Sequence, residues 1–483
     1  MAADPELTPG RRRLLVTVVA LASFMGALDA TIVNISLPAI SASFGARLGL
    51  VSWVIIGYLL VLSSTLLLFG RLGDLHGFRP VFLGGFLVFT AGSLLCGLSG
   101  EVTHLIGFRV LQGAGAAALQ ALGPALIALN LPRENRGRAL GILATATSLG
   151  IAGGPIIGGI LTEYLSWHWI FFINVPVGIF ALALGYAVLP PGAPERRDLP
   201  FDLGGSVLFF LALLTLLWPL SDGIYLGWTS PAILGSLLLS AIFWAAFLRR
   251  ELRVPDPLLN LRLLSNRDFT LANGAGLLIM AALGGSEFLL PFFFEKVKGL
   301  PTSTAGLLLA VPAVALMVAG PLSGSLADRR GARPFATGAS LLAAGSLILF
   351  AGLSPATSLP YTLAALLCLG LAMGFFFPPN MSQILGQCSR SEKGMGSGVM
   401  NTTKNIGDTV GTALFGTVAL AVIGAQAAHL PGVTAADLPP DILTSGFRVA
   451  FAVGILLCLA AAAMSFLVKG VPCRPGEGEE RQE

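Results

Sequence analysis

The chain has 483 residues, of which 55% are hydrophobic and only 11% are charged, whereas about 25% of the residues of an ordinary soluble domain are charged. The formal net charge of +4 says little by itself, and we expect no nucleic-acid partner. This composition excludes a water-soluble globular fold and predicts an all-α protein that crosses a membrane many times.

Apolar stretches of about 20 residues, long enough to cross a hydrocarbon core of about 30 Å, recur along the whole chain. The first stretch follows three arginines but is too long for a signal peptide and contains an acid, so we predict that it is retained. We predict fourteen membrane spans, at 14–37, 50–70, 80–99, 104–129, 137–162, 169–189, 201–220, 232–248, 270–294, 303–325, 334–353, 360–386, 394–424 and 446–468.

The basic residues predict the orientation of the chain in the membrane. With the N-terminus inside, 23 of the 29 Lys and Arg residues fall in segments on the inner side and four fall in external loops. By the positive-inside rule, both termini are predicted to be cytoplasmic. The external loops are short and carry no glycosylation acceptor, which favours a bacterial inner membrane. The five cysteines show no disulfide or metal spacing, so we expect no metal site.

One polar sequence motif occurs twice in the chain. "GRLGDLHGFRP" runs from Gly70 to Pro80 and "GSLADRRGARP" from Gly324 to Pro334, with six of eleven positions identical, both on the predicted cytoplasmic side. Gly and Pro permit a tight reversal, and Asp can cap a helix or pair with Arg. A simple structural loop is one interpretation, but duplication predicts two homologous halves that rock against each other, as in transporters. The candidate conformational-gating residues are Gly70, Asp74, Gly77, Arg79, Asp328, Gly331 and Arg333.

These loops resemble the loops of the major facilitator superfamily, and further stretches resemble its fourteen-helix drug:proton antiporter subgroup. They are "LDATIVNISLPAI" at Leu28–Ile40, "RVLQGAGAA" at Arg109–Ala117, "GIAGGPIIGG" at Gly150–Gly159 and "WHWIFFINVPVG" at Trp167–Gly178. One departure is "KNIGD" at Lys404–Asp408, where the subgroup's pattern implies Arg-Gln-x-Gly-Gly.

The resemblance implies a major facilitator fold of two six-helix bundles with two additional helices between them. We therefore divide the chain into an N-terminal six-helix bundle at 1–189, a linker with the two extra helices and a basic segment at 190–268, a C-terminal six-helix bundle at 269–468, and a cytoplasmic tail at 469–483. A monomer is what the resemblance implies.

Ionisable side chains at membrane depth are costly unless they are paired or hydrated, so each one is a candidate functional residue. Asp29 lies about 22 Å from the inner end of its span, and Arg109 enters from the opposite side, so the two side chains can meet. We expect Asp29 to exchange between a proton and Arg109 or a cationic substrate, with a static ion pair as the alternative. Glu287 is the matching acid of the second half, and its alternative role is a hydrogen bond to a neighbouring helix.

Lys404 and Asp408 are four residues apart on one helical face, so a local salt bridge is the simpler interpretation and a coupling role for Asp408 is the alternative. "MGFFFPPN", from Met373 to Asn380, is predicted to interrupt its helix at mid-membrane, where irregular backbone faces protein or a cavity. The candidate cavity residues are Asn34, Gln112, Asn380 and Lys404.

In "GIAGGPIIGG", Gly150, Gly154 and Gly158 lie one turn apart on one face, which predicts close packing against another helix. Pro155 can bend this helix. The resemblance implies that this stretch is the helix motif associated with antiporters.

The sequence offers no energy source other than an ion gradient. "QGAGAAAL" lies inside a predicted membrane helix rather than after a strand, so it is not a dinucleotide loop, and no phosphate-binding Gly-Lys-Ser/Thr loop is present. We therefore expect no catalytic residues, no ATP and no cofactor.

With the resemblance, these observations predict a proton-coupled exporter of lipophilic, cationic compounds whose partners are the lipid bilayer, protons and small-molecule substrates. The alternatives are export of an endogenous metabolite, peptide or lipid, and a non-transporting receptor or channel.

Overall fold

The computed structural model describes residues 8–190, 202–254, 261–388, 393–427 and 439–469. Within these ranges the chain is almost entirely helical. The helices are α1 Pro9–Phe44, α2 Leu48–His76, α3 Phe78–Gly97, α4 Val102–Asn130, α5 Arg133–Tyr164, α6 Trp169–Phe172, α7 Asn174–Val188, α8 Leu203–Leu226, α9 Pro231–Glu251, α10 Leu261–Ser265, α11 Arg267–Phe292, α12 Thr302–Arg330, α13 Ala332–Ala351, α14 Leu359–Gly386, α15 Lys393–Ala427 and α16 Pro440–Leu467, with a π-helical turn at Phe293–Val297 after α11.

Fourteen segments of the described chain are long and apolar enough to cross a membrane, which confirms the predicted number. Helices α6 and α7 together make one of them, and α11 with the π-helical turn makes another. The short helix α10 lies in the predicted basic linker. The predicted tail at 469–483 lies outside the described residues beyond its first residue.

Local sequence explains how several of these helices start and stop. Pro9 occupies the first turn of α1, where a missing backbone N–H costs nothing. Gly45 ends α1 with φ +57°, and its N–H donates to the carbonyl of Ala42. Asn266 caps α11 by accepting from the backbone N–H groups of Asp268 and Phe269.

The two six-helix sets pack in the same pattern. In the first set, α1 packs on α5, α4 packs on both α2 and α3, and α3 packs on α7. In the second set, α11 packs on α15, α14 packs on both α12 and α13, and α13 packs on α16. The pairs correspond one to one along the chain, so the repeat seen in two loops extends to the whole of each half.

The two repeated loops have the same backbone conformation. Gly77, between α2 and α3, has φ +91° and ψ +144°, and Gly331, between α12 and α13, has φ +84° and ψ +149°. This region is essentially restricted to glycine, because a Cβ would clash there. The predicted tight reversal therefore occurs in both halves for the same steric reason.

The arginine of each loop joins the same two helices of its own half. Arg79 donates to the carbonyl of Tyr186 on α7 at 2.7 Å, with its guanidinium 5.3 Å from the Tyr186 ring centroid. Arg333 lies 4.4 Å from the ring centroid of Phe466 on α16. In the first loop Asp74 pairs with Arg71 at 3.9 Å, whereas the Asp328 side chain lies outside the described part of the molecule. Each loop thus ties the third span of its half to the sixth.

The two additional helices, α8 and α9, pack on each other, and α8 also contacts α2 and α15. Because α2 belongs to the first half and α15 to the second, α8 contacts both halves. Pro219 cannot donate to the carbonyl of Thr215 within α8, and Ser236 of α9 donates to it at 2.8 Å instead. The hydroxyl of Thr417 on α15 donates to the carbonyl of Leu220.

The predicted interruption at Pro378 and Pro379 is wrong, because α14 continues as a helix from Leu359 to Gly386. Pro378 has no N–H for the carbonyl of Gly374, and Ser323 of α12 donates to that carbonyl at 2.6 Å. Replacement bonds of this kind let membrane helices tolerate proline.

The halves meet at the predicted external ends of α5 and α12. Ser303, in the first turn of α12, donates its backbone N–H to Glu163 of α5 at 2.8 Å. A methyl group built on Gly159 would lie 2.7 Å from the carbonyl oxygen of Thr302, so the two backbones are in close contact. At this end of the molecule the first and second halves are therefore packed together.

Candidate functional site

A buried ion pair joins α1 and α4. Arg109 Nη1 lies 2.6 Å from Asp29 Oδ2, and the two side chains are 1% and 0% exposed. The depth of each residue in its span predicts this contact, and the structure brings the two side chains together. A buried charge of this kind persists only with a partner and further hydrogen bonds.

Neutral side chains complete the coordination of both charges. Gln112 Nε2 donates to Asp29 Oδ1 at 2.8 Å, and Asn174 Nδ2 donates to the same oxygen at 3.2 Å. Arg109 also donates to Gln112 Oε1 at 2.7 Å and, through Nε, to the carbonyl of Val54 at 3.0 Å. We call Asp29, Arg109, Gln112 and Asn174 the N-half charge network.

Further side chains enclose the N-half charge network. The Arg109 guanidinium lies 4.0 Å from the ring centroid of Tyr58 on α2, a cation–π distance. Ser93 on α3 accepts from Gln112 Nε2 at 2.7 Å. Five spans therefore contribute to one buried polar site.

Small residues allow the helices to approach closely enough for this network. A methyl group on Gly113 of α4 would lie 2.6 Å from the carbonyl oxygen of Tyr58, and one on Gly92 of α3 would lie 2.9 Å from Cα of Gln112. The "QGAGAAAL" stretch is thus a packing surface inside α4, against which α2 and α3 fit. The sequence expectation that Gln112 lines a cavity is wrong, since its side chain is fully buried between Asp29 and Ser93.

The second acid, Glu287, lies in a cavity between the halves. The cavity has a volume of about 40 Å³ and is formed by α1 and α5 of the first half and α11, α12 and α14 of the second. Its lining is mostly apolar, with Thr31, Asn34 and Glu287 as its polar members. This volume holds a few water molecules and is too small for a drug-sized ligand, so the halves must move before such a ligand enters.

Asn34 is the sequence-predicted cavity residue that the structure does place in this lining. Its Oδ1 atom is buried without a hydrogen-bond partner among the described residues. The described residues likewise provide no hydrogen-bond donor for the Glu287 carboxylate. An amide oxygen and a carboxylate, one from each half, therefore face the same small space.

Asp408 lies on α15 near Glu287 but outside the cavity lining, and Lys404 lies about one turn before it on the same helix. Asp408 contacts α11 at Gly284, three residues before Glu287, and lies within electrostatic range of it. Lys404 Nζ lies 4.6 Å from the ring centroid of Phe377. No ion pair within 4 Å joins Lys404 and Asp408 in the described chain, although the two charges lie within electrostatic range of each other. Lys404 contacts α14 and is not among the residues that line the Glu287 cavity.

Asn380 is also not among the residues that line the Glu287 cavity. Its side chain is 5% exposed, and its Nδ2 atom lies 3.1 Å from the position of a methyl group on Gly276 of α11. It lies six residues from the end of α14, closer to the predicted cytoplasmic face than to the middle of the membrane. The sequence expectation failed because the two prolines do not break the helix.

The family follows from comparison with known proteins. The model of the Major Facilitator Superfamily matches residues 19–412. The chain belongs to the major facilitator superfamily. It is a multi-pass membrane transporter, and the match covers the first half from residue 19, the two additional helices and the second half as far as residue 412, within α15.

Curated relatives of this major facilitator protein include drug exporters and a vitamin transporter. It is 34% identical over 84% of its length to the tetracenomycin C resistance and export protein of Streptomyces glaucescens, covering 76% of that protein. It is 33% identical over 85% of its length to multidrug resistance protein Stp of Mycobacterium tuberculosis, covering 76% of Stp. It is also 33% identical over 83% of its length to riboflavin transporter RibZ of Clostridioides difficile, covering 87% of RibZ.

The fold is similar to that of a solved bacterial homologue of the human lysosomal transporter Spinster. The superposition has a TM-score of 0.69 at 16% identity and covers 95% of this chain and 97% of that one. This similarity supports the major facilitator fold.

The glycine motif of α5 contacts two neighbouring helices, α1 and α12. Methyl groups on Gly150 and Gly158 would lie 2.6 Å from the carbonyl oxygen of Phe24 and 2.7 Å from the side chain of Ile32, both on α1. Gly154 contacts Thr31 in the same way. The expected close helix contact is therefore made with α1. Pro155, on the adjacent face, lines the cavity and contacts α12 at Gly306.

The sequence did not predict Asn174 as a member of the N-half charge network. It also did not predict the two side chains that enclose the network, Ser93 and, as a cation–π partner, Tyr58. A single Asn, Ser or Tyr in an apolar helix is common, so none of them stands out alone. Asn174 lies within the stretch "WHWIFFINVPVG", whose resemblance to the antiporter subgroup was the one available signal.

Proposed function

We propose that this transporter is a proton-coupled antiporter that exports lipophilic, cationic compounds by alternating access. The observation that carries the proposal is the position of Glu287, an acid without a hydrogen-bond donor among the described residues, in a largely apolar cavity formed by both halves. An apolar lining favours lipophilic ligands, and a carboxylate favours a positive charge.

The chemistry of exchange follows from this one carboxyl group. In a site of low dielectric constant, a carboxylate is stable when it carries a proton or faces a cation. A proton and a cationic substrate therefore exclude each other at Glu287. Release of substrate to the outside leaves a carboxylate that takes up a proton there, and loss of that proton inside prepares the site for the next substrate.

The N-half charge network has a different role in this proposal. The Asp29 carboxylate is fully buried and receives bonds from Arg109, Gln112 and Asn174. A substrate could reach it only after several of these bonds break. We therefore assign Asp29 and Arg109 to a static ion pair that fixes α1, which carries Thr31 and Asn34 into the cavity.

Alternating access requires the packed external ends of α5 and α12 to separate. The contacts that must break are the hydrogen bond from Ser303 to Glu163 and the close backbone approach at Gly159. The repeated loops hold each half together during this motion, since Arg79 and Arg333 each join the third and sixth spans of one half. Rocking of two rigid halves is the general mode of such repeats.

We further propose that the transporter works as a monomer in a bacterial inner membrane, with both termini cytoplasmic, and that a proton gradient drives it without ATP or a cofactor. The bias of Lys and Arg towards one side supports the orientation, and the bacterial sources of the relatives support the membrane.

A second candidate function is export of an endogenous metabolite. A riboflavin transporter is among the relatives, at an identity similar to that of the drug exporters. The fold and the cavity acid are compatible with either cargo.

Transport into proteoliposomes tests the proposal and separates the candidates. Purified protein is reconstituted, a pH gradient is imposed, and movement of ethidium, a lipophilic cation, is compared with movement of riboflavin. The proposal expects gradient-dependent ethidium movement that is lost in Glu287→Gln. Movement of riboflavin alone would favour the second candidate, and ethidium movement that ignores the pH gradient would contradict proton coupling.

A further inference from the structure

A second cavity, of about 560 Å³, lies within the first half at the start of α1 and α5. Its walls come from residues 9–17 of α1 and 135–142 of α5, and Leu131, the residue after α4, completes the lining. Its volume is within the range of about 300–1,000 Å³ that is usual for ligand-binding pockets. We call it the α1–α5 cavity. The proposed transport cycle assigns it no role.

The α1–α5 cavity forms because the two helices touch further along and are apart near their first turns. A methyl group on Gly150 of α5 would lie 2.6 Å from the carbonyl oxygen of Phe24 on α1, so the helices are in contact there. Thr17 lies seven residues before Phe24 and therefore on nearly the same face of α1. Ala139 lies eleven residues before Gly150, also on nearly the same face of α5. Both of these side chains line the cavity, so it separates helix faces that would otherwise meet.

Three guanidinium groups line the α1–α5 cavity. Arg12 and Arg13 come from the first two turns of α1, and Arg138 comes from the second turn of α5. Arg11, in the same run, is turned towards α7 and donates to the carbonyl of Ala187 at 3.2 Å. None of the described lining residues is acidic, and neither Arg13 nor Arg138 belongs to an ion pair of the described chain. The cavity therefore concentrates positive charge.

Arg13 and Arg138 lie at the depth of lipid head groups. The membrane spans predicted from the sequence begin at residues 14 and 137, and the apolar helical segments of the structure begin at Pro9 and Asn135. Both arginines are thus within about one turn of the boundary between apolar and polar sequence. The bias of Lys and Arg predicts that this end is cytoplasmic, and the cytoplasmic leaflet carries anionic phospholipids. The two arginines are therefore placed to meet lipid phosphate groups.

An apolar line on α5 leads from the α1–α5 cavity into the membrane. Ile142 lines the cavity, and Leu149 and Ile160 follow it on the same face of α5, seven and eighteen residues further along. These three side chains are 45%, 52% and 46% exposed. Ile151, which lines the cavity between the halves, lies nine residues, or about two and a half turns, from Ile142 and so on the opposite face. The apolar line therefore faces away from the second half, where acyl chains can lie against it.

Charge and shape together identify the class of ligand. A guanidinium group donates paired hydrogen bonds to the oxygens of a phosphate group, and Thr17 and Asn135 supply further polar groups to the cavity. A free phosphate ion would leave the apolar wall at Val16 and Ile142 in contact with water. A zwitterionic phospholipid would bring a positive amine close to the arginines. An anionic phospholipid carries both a phosphate group and an acyl chain without that second positive charge.

We propose that the α1–α5 cavity binds the phosphate head group of one anionic phospholipid of the cytoplasmic leaflet, with an acyl chain along Ile142 and Leu149. Arg13 holds the phosphate from α1 and Arg138 holds it from α5, so the lipid joins two helices that are apart at this depth. Because both helices belong to the first half, the lipid stays bound while the halves rock and stabilises that half. This site depends neither on proton coupling nor on the identity of the exported compound.

Thermal unfolding of the full-length protein, delipidated in detergent, tests the site. Phosphatidylglycerol, an anionic phospholipid, is titrated in, and phosphatidylcholine and inorganic phosphate are the comparisons. We expect the unfolding midpoint to rise with phosphatidylglycerol alone, because a ligand of the folded state stabilises it. In Arg13→Gln/Arg138→Gln, the concentration that gives half of this rise should increase about tenfold. The control, Arg249→Gln/Arg267→Gln, removes two exposed arginines on the same predicted side but outside the cavity, and it should respond like native protein.

Photocross-linking of native protein locates the lipid without relying on a variant. Phosphatidylglycerol with a diazirine near the glycerol end of one acyl chain is activated by light, and mass spectrometry identifies the labelled peptides. We expect labelling of α5 at or beside Ile142 and Leu149. Labelling of other helices without α5 would overturn the site.

The titrations would overturn the proposal in three ways. Equal midpoint shifts with phosphatidylglycerol and phosphatidylcholine would show that the negative charge is not recognised. Equal titrations of native protein and the cavity variant, or an equal loss in the cavity variant and the control, would show that general surface charge attracts the lipid. A rise with inorganic phosphate as large as that with phosphatidylglycerol would show a site for free phosphate rather than for a lipid.

Discussion

Asp29 and Glu287 occupy equivalent halves of the fold of this transporter but have opposite surroundings. Asp29 in the first half is fully buried and accepts hydrogen bonds from Arg109, Gln112 and Asn174. Glu287 in the second half faces a cavity, and no described residue donates to it. An acid with a complete set of donors is held in one charge state, whereas an acid without donors can exchange its proton for another partner. In the proposed function, Asp29 is therefore the fixed charge and Glu287 the exchangeable one.

The largest effect on stability is expected in the first half. Asp29→Asn leaves Arg109 buried without a counter-charge, which costs about 3–5 kcal/mol in comparable buried pairs. We expect a marked fall of the midpoint of thermal unfolding in detergent.

A double variant and a surface variant sharpen that prediction. Asp29→Asn/Arg109→Gln should lose less stability than the sum of the single variants, because the unpaired charge is gone. Asp441→Asn, an exposed acid in the first turn of α16, should unfold like native protein. Native stability in Asp29→Asn would refute the static ion pair.

The second half should respond in transport rather than in stability. Glu287→Gln keeps the size of the side chain and removes the exchangeable proton, so we expect gradient-driven ethidium transport to fall about 100-fold, equivalent to about 2.7 kcal/mol. Its unfolding midpoint should stay close to that of native protein, since no hydrogen bond from a described residue is lost. A variant that is strongly destabilised but transports normally once folded would reverse the assigned roles of the two acids.

Substitutions at two glycines of α5 distinguish helix packing within the first half from helix packing between the two halves. Gly154→Val adds methyl groups against Thr31 of α1 and should cost about 1–3 kcal/mol by overpacking. Gly159→Val adds them against Thr302 of the other half, so α5 and α12 should separate with a smaller loss of stability. Faster alkylation of a cysteine introduced at Ser303 by an impermeant reagent would report this separation. Equal effects of the two substitutions on stability and alkylation would contradict the distinction.

The smallest effect is expected where the additional helices join the first half. Asp222 on α8 lies 3.7 Å from Arg47, and Trp53 Nε1 lies 3.4 Å from its other carboxylate oxygen. Because the Arg47 side chain is 51% exposed, the ion pair contributes about 0.2–1 kcal/mol. Asp222→Asn should therefore shift the unfolding midpoint only slightly and leave transport unchanged. A large loss of transport would show that α8 takes part in the motion of the halves.

Much of the fold could be predicted from the sequence, because the membrane leaves few choices for an apolar stretch of about 20 residues. The fourteen spans and the repeated loops follow from composition and spacing. The contact between Asp29 and Arg109 was predictable for a related reason, since helix geometry fixes the depth of each residue.

The remaining contacts depend on how each helix is rotated about its axis and on which helices pack beside it. The depth of a residue in its membrane span specifies neither. Gln112 turns into the N-half charge network rather than towards the cavity, and Lys404 turns towards Phe377 rather than towards Asp408. Pro378 and Pro379 leave α14 intact because Ser323, distant in sequence, bonds the freed carbonyl of Gly374. Such contacts are made between helices, so a single helix sequence does not contain them.

The measurement that tests the central claim most directly is substrate-driven proton movement in proteoliposomes with a pH-sensitive dye inside. Native protein, Glu287→Gln and Asp29→Asn would be compared per folded molecule when ethidium is added. We predict proton movement in native protein, its absence in Glu287→Gln and its retention in Asp29→Asn. Proton movement that persists in Glu287→Gln and disappears in Asp29→Asn would contradict the division between an exchangeable acid in the second half and a fixed acid in the first.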